Sequence, residues 1–211
     1  MKIKVCGMRD ADNIRQLLAL NPDYVGFIFY PPSLRYVGGD FPVEVSALVT
    51  GAKKVGVFVD ADFADMREII FHHKLDAVQL HGKETPGECW LHRSLGLTVI
   101  KAFAIDEQFD FSVLEPYVDA VDYFLFDTKT PQHGGSGVKF NWDILKNYNN
   151  AKPVFLSGGI GEDDVAAIRA LTHLDIHAVD VNSRFEVSPG VKDVDKLKRF
   201  FDQIKQTSWD R

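Results

Sequence analysis

Lys2-Ile3-Lys4-Val5-Cys6-Gly7-Met8-Arg9 begins with alternating polar and apolar side chains, the two-residue period of a half-buried strand. The alternation stops at a thiol, and Gly7 behind it favours a turn that leaves Cys6 at the strand's carboxyl end. In parallel α/β architectures that end is where ligands bind. An open, doubly wound sheet normally carries a long glycine fingerprint directly after its first strand, and Cys6-Gly7-Met8-Arg9 contains none. The stretch favours a closed barrel.

Outward from this start the chain repeats one rhythm, a short apolar run followed by a longer segment of helical period. Strands are expected at Ile3 to Val5, Tyr24 to Phe29, Lys54 to Val59, Ala77 to Leu80, Val99 to Ala104, Tyr123 to Phe126, Val154 to Leu156 and Ala178 to Val181. Helices are expected at Asp10 to Leu20, Val43 to Thr50, Asp62 to His72, Thr85 to Leu95, Phe111 to Tyr117, Trp142 to Tyr148, Asp163 to Leu171 and Asp193 to Lys205, several opening with Asp or Thr at capping distance. Eight such units of about 26 residues suit a compact (β/α)8 TIM barrel, and the absence of a Pro/Ser-rich linker predicts one domain over residues 1–211. Three segments are too long or too rich in glycine to be plain connectors: Tyr30 to Phe41, Thr128 to Asn141 and Ser157 to Glu162. All three follow strands, on the face where barrel enzymes place their sites.

With 211 residues, 45% of them hydrophobic and 26% charged, the chain can bury one substantial core. A net charge of -6 argues against nucleic-acid partners, which call for a basic face. An anionic small molecule remains compatible, because a local cradle of N–H groups needs no global positive charge. Cys6 and Cys89 are too few for a disulfide framework, and Cys6 lies too near the start to follow a signal peptide, so a reducing cytoplasmic setting is expected. No apolar run reaches the length of a membrane span. The histidines do not suggest a metal: only His81 and His177 fall near strand ends, without carboxylates at ligand spacing, while His72, His73, His92 and His173 lie in or beside helices and His133 in a loop.

Several residues could carry chemistry. Asp127 closes the apolar run Tyr123-Phe124-Leu125-Phe126, and an apolar floor would keep a proton on its carboxyl group for acid catalysis. It could equally cap the following loop or pair with Lys129, and Asp60, Asp106 and Asp180 hold similar strand-end positions. Cys6 also reads as a small buried hydrophobe, the role expected of Cys89 inside its helix. Ser157-Gly158-Gly159-Ile160-Gly161 lies between a strand and an acid-rich helix start, where glycines let N–H groups approach a phosphate or simply make a tight turn. Asp180-Val181-Asn182-Ser183 ends the last strand with further donors, and the loops after strands seven and eight are the usual phosphate position in barrels. Arg35 sits in a loop stiffened by Pro31 and Pro32, where a guanidinium could clamp a carboxylate or merely meet solvent. Gly134-Gly135-Ser136-Gly137 reads as a mobile closure or a plain flexible loop.

Taken together, Lys4-Val5-Cys6-Gly7-Met8, Gly26-Phe27-Ile28-Phe29 with Ser33-Leu34-Arg35-Tyr36-Val37, Val78-Gln79-Leu80-His81-Gly82, Phe126-Asp127-Thr128-Lys129, Leu156-Ser157-Gly158-Gly159-Ile160 and Asp180-Val181-Asn182-Ser183 with Pro189-Gly190-Val191-Lys192-Asp193 resemble the phosphoribosylanthranilate isomerases of tryptophan biosynthesis. The resemblance implies a cofactor-free Amadori rearrangement of a phosphorylated small molecule, in a monomer or homodimer. It places the general base on Cys6, the general acid on Asp127, the substrate-carboxylate arginine on Arg35, and the phosphate contacts on Gly158, Gly159, Asn182 and Ser183, with Asp180 on the same strand end. The base role calls for a thiol shifted downward, with Lys4, Arg9 or the substrate's own cation as the source. Arg184 departs from the family, which usually has a small residue there; an added charge contact to phosphate is one reading of it. Other phosphosugar barrel isomerases or epimerases, and a non-catalytic binder of phosphorylated ligands, are the competing functions.

Overall fold

A computed structural model describes residues 1–129 and 139–205 of the chain. Eight parallel strands close into a barrel in sequence order: β1 (Lys2–Val5), β2 (Tyr24–Ile28), β3 (Lys53–Phe58), β4 (Ala77–Leu80), β5 (Thr98–Ile105), β6 (Tyr123–Thr128), β7 (Val154–Leu156) and β8 (Ile176–Val181). The ring is completed by β1 against β8, with Lys4 opposite Asp180 and Val5 opposite Val181.

The two-residue period of each strand sorts its side chains. One set turns outward to the surrounding helices and joins the large core that includes Ile3, Val25, Phe27, Val78, Phe124 and Phe126. The other set fills the barrel, where Tyr24, Val55, Ala77, Ile100, Leu125, Phe155 and Ala178 pack as a separate cluster. The same alternation, continued by two residues, decides which side chains crown the barrel's carboxyl end: Cys6 above Lys4, His81 above Gln79, Asp127 above Leu125, Asp180 above Ala178.

Helices α1 (Ala11–Leu18), α3 (Phe63–His73) and α4 (Pro86–Ser94) start as their capping residues dictate. Asp10 accepts from Asn13 N, Asp62 from Ala64 N, and Thr85 forms a reciprocal capping box with Glu88. The connections before β6 and β7 differ from expectation, being 3-10 turns at Phe111–Tyr117 and Trp142–Asn147. In the first, Pro116 lacks the N–H that an α-helix would need there. The helix expected from Asp163 divides into a 3-10 turn, Glu162–Asp164, and α5 (Val165–Ala170), while α2 (Val43–Ala47) is shorter than the sequence suggested.

After β8 the chain makes a small antiparallel hairpin that the sequence reading did not anticipate, β9 (Glu186–Ser188) with β10 (Val191–Lys192), before α6 (Val194–Lys205). It is too short to announce itself by alternation. Tertiary contacts hold it: Arg9 donates to Pro189 O at 2.9 Å, and Asn13 and Lys192 exchange two hydrogen bonds at 2.9 and 2.7 Å. Among the described residues no helix is long and apolar enough to cross a membrane.

Candidate active site

The carboxyl ends of the strands surround a cavity of about 730 Å³, part of it open to solvent. All eight side chains and glycines expected at the site line it: Cys6, Arg35, Asp127, Gly158, Gly159, Asp180, Asn182 and Ser183. The expected loop at Gly134-Gly135-Ser136-Gly137 lies outside the described residues, as does His133. The structure also chooses among the acids. Asp106 is out on the surface, paired with Lys129 at 2.6 Å, so Lys129 is no partner of Asp127. Asp60 is spent on the loop after β4, accepting from Lys83 N at 2.5 Å.

Cys6 is 4% exposed, and its N–H is fixed to Val181 O at 3.0 Å. Burial pushes its thiol up from the ordinary value, with Lys4 and then Lys192 the cations that oppose the rise. The expected net downward shift is thus absent in the free protein. Lys4 is a partner as anticipated; Arg9 is not, since it bridges Leu34 O and Pro189 O. Lys192 was not foreseen in this position. Lys4 itself is fully buried and donates to Asp180 Oδ2 at 2.9 Å, an attraction that, with Cys6, outweighs burial and holds the ammonium above its ordinary value. The other oxygen of Asp180, Oδ1, is buried with no partner among the described residues.

Asp127 does not rest on an apolar floor alone. Its Oδ1 accepts from Thr128 N at 2.8 Å, and its Oδ2 lies 3.5 Å from His81 Nε2. The imidazole is held from its other side by Gln79 Nε2, 3.0 Å from Nδ1. His81 is therefore a site residue that the sequence had offered only as a weak metal candidate. Its signal was position: it stands one residue beyond β4, inward by the same alternation that places Gln79.

Gly158 and Gly159 both have left-handed backbones, with φ of 91° and 64°. A side chain at 158 would also run into the Thr128 backbone N, 2.7 Å from a Cβ placed there. The glycines bring the loop after β7 close against β6 and open backbone N–H groups to the cavity. Arg184 joins this loop to the one after β8, since its Nε donates to Gly159 O at 3.2 Å. Among the described residues it makes no ion pair.

Arg35 is 8% exposed and already meets a carboxylate. Its Nε lies 2.9 and 3.0 Å from the two oxygens of Glu186, and its Nη2 lies 2.7 Å from Oε2. Glu186 Oε1 also accepts from Lys192 Nζ at 2.7 Å, and the same ammonium donates to Asn182 Oδ1 at 2.6 Å. Arginine and lysine together hold the Glu186 carboxyl below its usual range against the opposing effect of burial. Burial brings Lys192 down to about 8, against the pull of Glu186. Neither Glu186 nor Lys192 could be found by strand-end position, because both belong to the β9–β10 hairpin.

Known proteins resemble the chain over its whole length. A sequence model of the family described as N-(5'phosphoribosyl)anthranilate (PRA) isomerase matches residues 3–203. An N-(5'-phosphoribosyl)anthranilate isomerase of Parabacteroides distasonis is 46% identical over 207 residues, 97% of this chain and 93% of the relative. The crystal structure of phosphoribosyl anthranilate isomerase from Thermotoga maritima superposes with a TM-score of 0.87 at 32% identity, over 98% of this chain and 100% of that one. A further phosphoribosyl anthranilate isomerase, in complex with reduced 1-(o-carboxyphenylamino)-1-deoxyribulose 5-phosphate, gives a TM-score of 0.81 at 28% identity, over 98% and 100% of the two chains.

Proposed function

The chain belongs to the N-(5'-phosphoribosyl)anthranilate isomerase family, and from that premise we propose that residues 1–211 form one catalytic domain in which Cys6 is the general base and Asp127 the general acid. The reaction is the Amadori rearrangement of N-(5-phosphoribosyl)anthranilate to 1-(2-carboxyphenylamino)-1-deoxyribulose 5-phosphate, a step of tryptophan biosynthesis.

Asp127, protonated, donates to the furanose ring oxygen; the bond from that oxygen to the first sugar carbon breaks, and the anthranilate nitrogen lone pair forms an iminium. Cys6, as thiolate, then removes the proton from the second sugar carbon, which the iminium has acidified, and the C–H electrons flow towards nitrogen. The resulting enolamine tautomerises to the ketone. Atoms are only redistributed, so the conversion has no net redox change.

The observation that carries this reading is that a strand-end thiol and a strand-end carboxyl line one cavity with a carboxylate-binding arginine and a glycine cradle. Arg35 takes the anthranilate carboxylate. Gly158, Gly159, Asn182 and Ser183 take the phosphate, Asp180 Oδ1, which has no partner among the described residues, accepts from a sugar hydroxyl, and His81 steadies Asp127. Because burial raises the Cys6 thiol in the free protein, the cation that favours thiolate at the moment of need is the substrate's iminium, added to Lys4 and Lys192.

Incubation of purified protein with phosphoribosyl anthranilate, followed by loss of substrate fluorescence, tests the assignment. Turnover is expected with and without EDTA, and Cys6→Ser and Asp127→Asn should each lower kcat by about 10²- to 10⁴-fold, the usual worth of a positioned acid or base. Full activity in Cys6→Ser would remove the proposed base. Loss of activity on chelation would point instead to a metal-dependent epimerase.

A further inference from the structure

Arg35, the proposed carboxylate clamp, presents a difficulty: a buried carboxylate already occupies its Nε and Nη2. A one-to-one Arg–Glu pair is neutral, and a neutral pair has little attraction for an incoming anion. The structure supplies a third member. Lys192, with no side-chain exposure, donates to Glu186 Oε1 at 2.7 Å, the oxygen that Arg35 Nε also meets at 2.9 Å. We propose that Lys192 is a positioning residue for substrate recognition: by neutralising Glu186 it leaves Arg35 with an unspent positive charge and leaves its Nη1 edge for the substrate's benzoate carboxylate.

The order of charges, plus-minus-plus, gives Glu186 a fixed task. It aims the guanidinium by gripping one edge, as a bidentate fork requires. Gly190 N also donates to Glu186 Oε1 at 3.1 Å, so the acid is held by three residues, Arg35 from the loop after β2 and Gly190 and Lys192 from its own hairpin. Lys192 in turn reaches Asn182, which ties the carboxylate end of the site to the loop proposed for phosphate. Close packing maintains the arrangement at Gly7, where φ is 75° and a Cβ would lie 2.8 Å from Arg35 Cδ and 2.9 Å from Asn182 Oδ1.

The groups whose charges act on Lys192 come from three other segments: Glu186 in β9, Cys6 after β1, and Arg35 in the loop after β2. Lys192 titrates at about 8, well below an ordinary lysine. Above that pH it loses its charge while Glu186 keeps its own, so the charge left to Arg35 is cancelled. Affinity for the carboxylate should therefore be full below pH 8 and fall as pH rises through it.

The inference rests on Arg35 meeting the substrate carboxylate, and the experiment separates the two. The probes are reduced 1-(o-carboxyphenylamino)-1-deoxyribulose 5-phosphate and the same compound without its carboxyl group; neither reacts, so Cys6 ionisation does not enter through chemistry. Dissociation constants are measured for the wild type, Arg35→Ala, Lys192→Met and the double variant Lys192→Met/Glu186→Gln. Both probes share the phosphate contact through Asn182, so the readout is their ratio: Lys192→Met should weaken the carboxylated probe about tenfold or more beyond any loss in the decarboxylated one, the size of one charge-assisted hydrogen bond. Removing the acid as well should recover most of the loss, and the wild-type preference for the carboxylated probe should fade above pH 8.

Equal weakening of both probes in Lys192→Met, or no recovery in the double variant, would reduce Lys192 to a packing residue and overturn the inference. If Arg35→Ala does not discriminate between the probes, the assignment of Arg35 itself fails.

Discussion

Gly26 offers the sharpest test of how the barrel positions Cys6. It lies on β2 beside Cys6, two residues past the paired Lys4 and Tyr24, and its carbonyl is pinned by Met8 N at 3.0 Å. A Cβ at this position would stand 2.8 Å from Cys6 Sγ, 3.3 Å from its Cβ and 3.1 Å from its Cα. Non-bonded heavy atoms settle at about 3.5–4.0 Å, so in Gly26→Ala the sulfur must retreat by about 1 Å. Gly26 does not have a positive φ, so an alanine is conformationally acceptable and the perturbation is steric alone. A displacement of about 1 Å at a reacting group costs about 100-fold in rate. We expect kcat with phosphoribosyl anthranilate to fall by about that factor, while urea denaturation shows a loss of only about 1–3 kcal/mol, typical of overpacking. Gly56→Ala is the control. Its Cβ would meet Leu75 Cδ1 at 2.5 Å and Phe58 Cε2 at 2.6 Å, remote from the thiol, so stability should fall and kcat should hold. A Gly26→Ala enzyme with wild-type kcat, or a Gly56→Ala enzyme that is equally impaired, would refute the steric argument.

Two further outcomes follow from the site. Arg184→Ala should raise KM several-fold with little change in kcat, since the guanidinium is anchored by Nε on Gly159 O and makes no ion pair among the described residues; unchanged kinetics would leave it without a phosphate role. Lys4→Met should destabilise the protein by about 3–5 kcal/mol in urea, because it strands the Asp180 carboxylate in the barrel with neither oxygen paired; a loss below about 1 kcal/mol would mean that Asp180 takes up a proton instead.

Much of the fold was legible because it depends on local rules. Each of the eight strands is where a short apolar run stands between turn signals, and the ends that carry Asp10, Asp62 and Thr85 behave as capping chemistry requires. The 3-10 turns were not distinguished from α-helices, since seven residues around Pro116 show the same apolar spacing in either form. Cys6, Asp127 and Asp180 were legible as strand-end candidates, but position alone did not separate them from Asp60 and Asp106, and their roles came from the family resemblance. The surroundings of Asp127 were not legible, because His81 comes from the loop after β4 and the Thr128 N–H reaches the carboxyl only in the folded backbone geometry.

What the sequence determined by itself is the order of the strands and the candidates at their ends, Cys6, Asp127 and Asp180 among them, with the glycines at 158 and 159 in the loop after β7, because alternation and turn signals are properties of neighbouring residues. What only the tertiary structure decided is the charge state those groups work in. Lys4 meets Asp180 across 176 residues and Glu186 grips Arg35 across 151, while Lys192 lies buried beside both Glu186 and Asn182. Burial and charge pairing depend on which distant segments come together, so the raised thiol of Cys6 and the lowered ammonium of Lys192 exist only once the barrel has closed and the β9–β10 hairpin has packed against it.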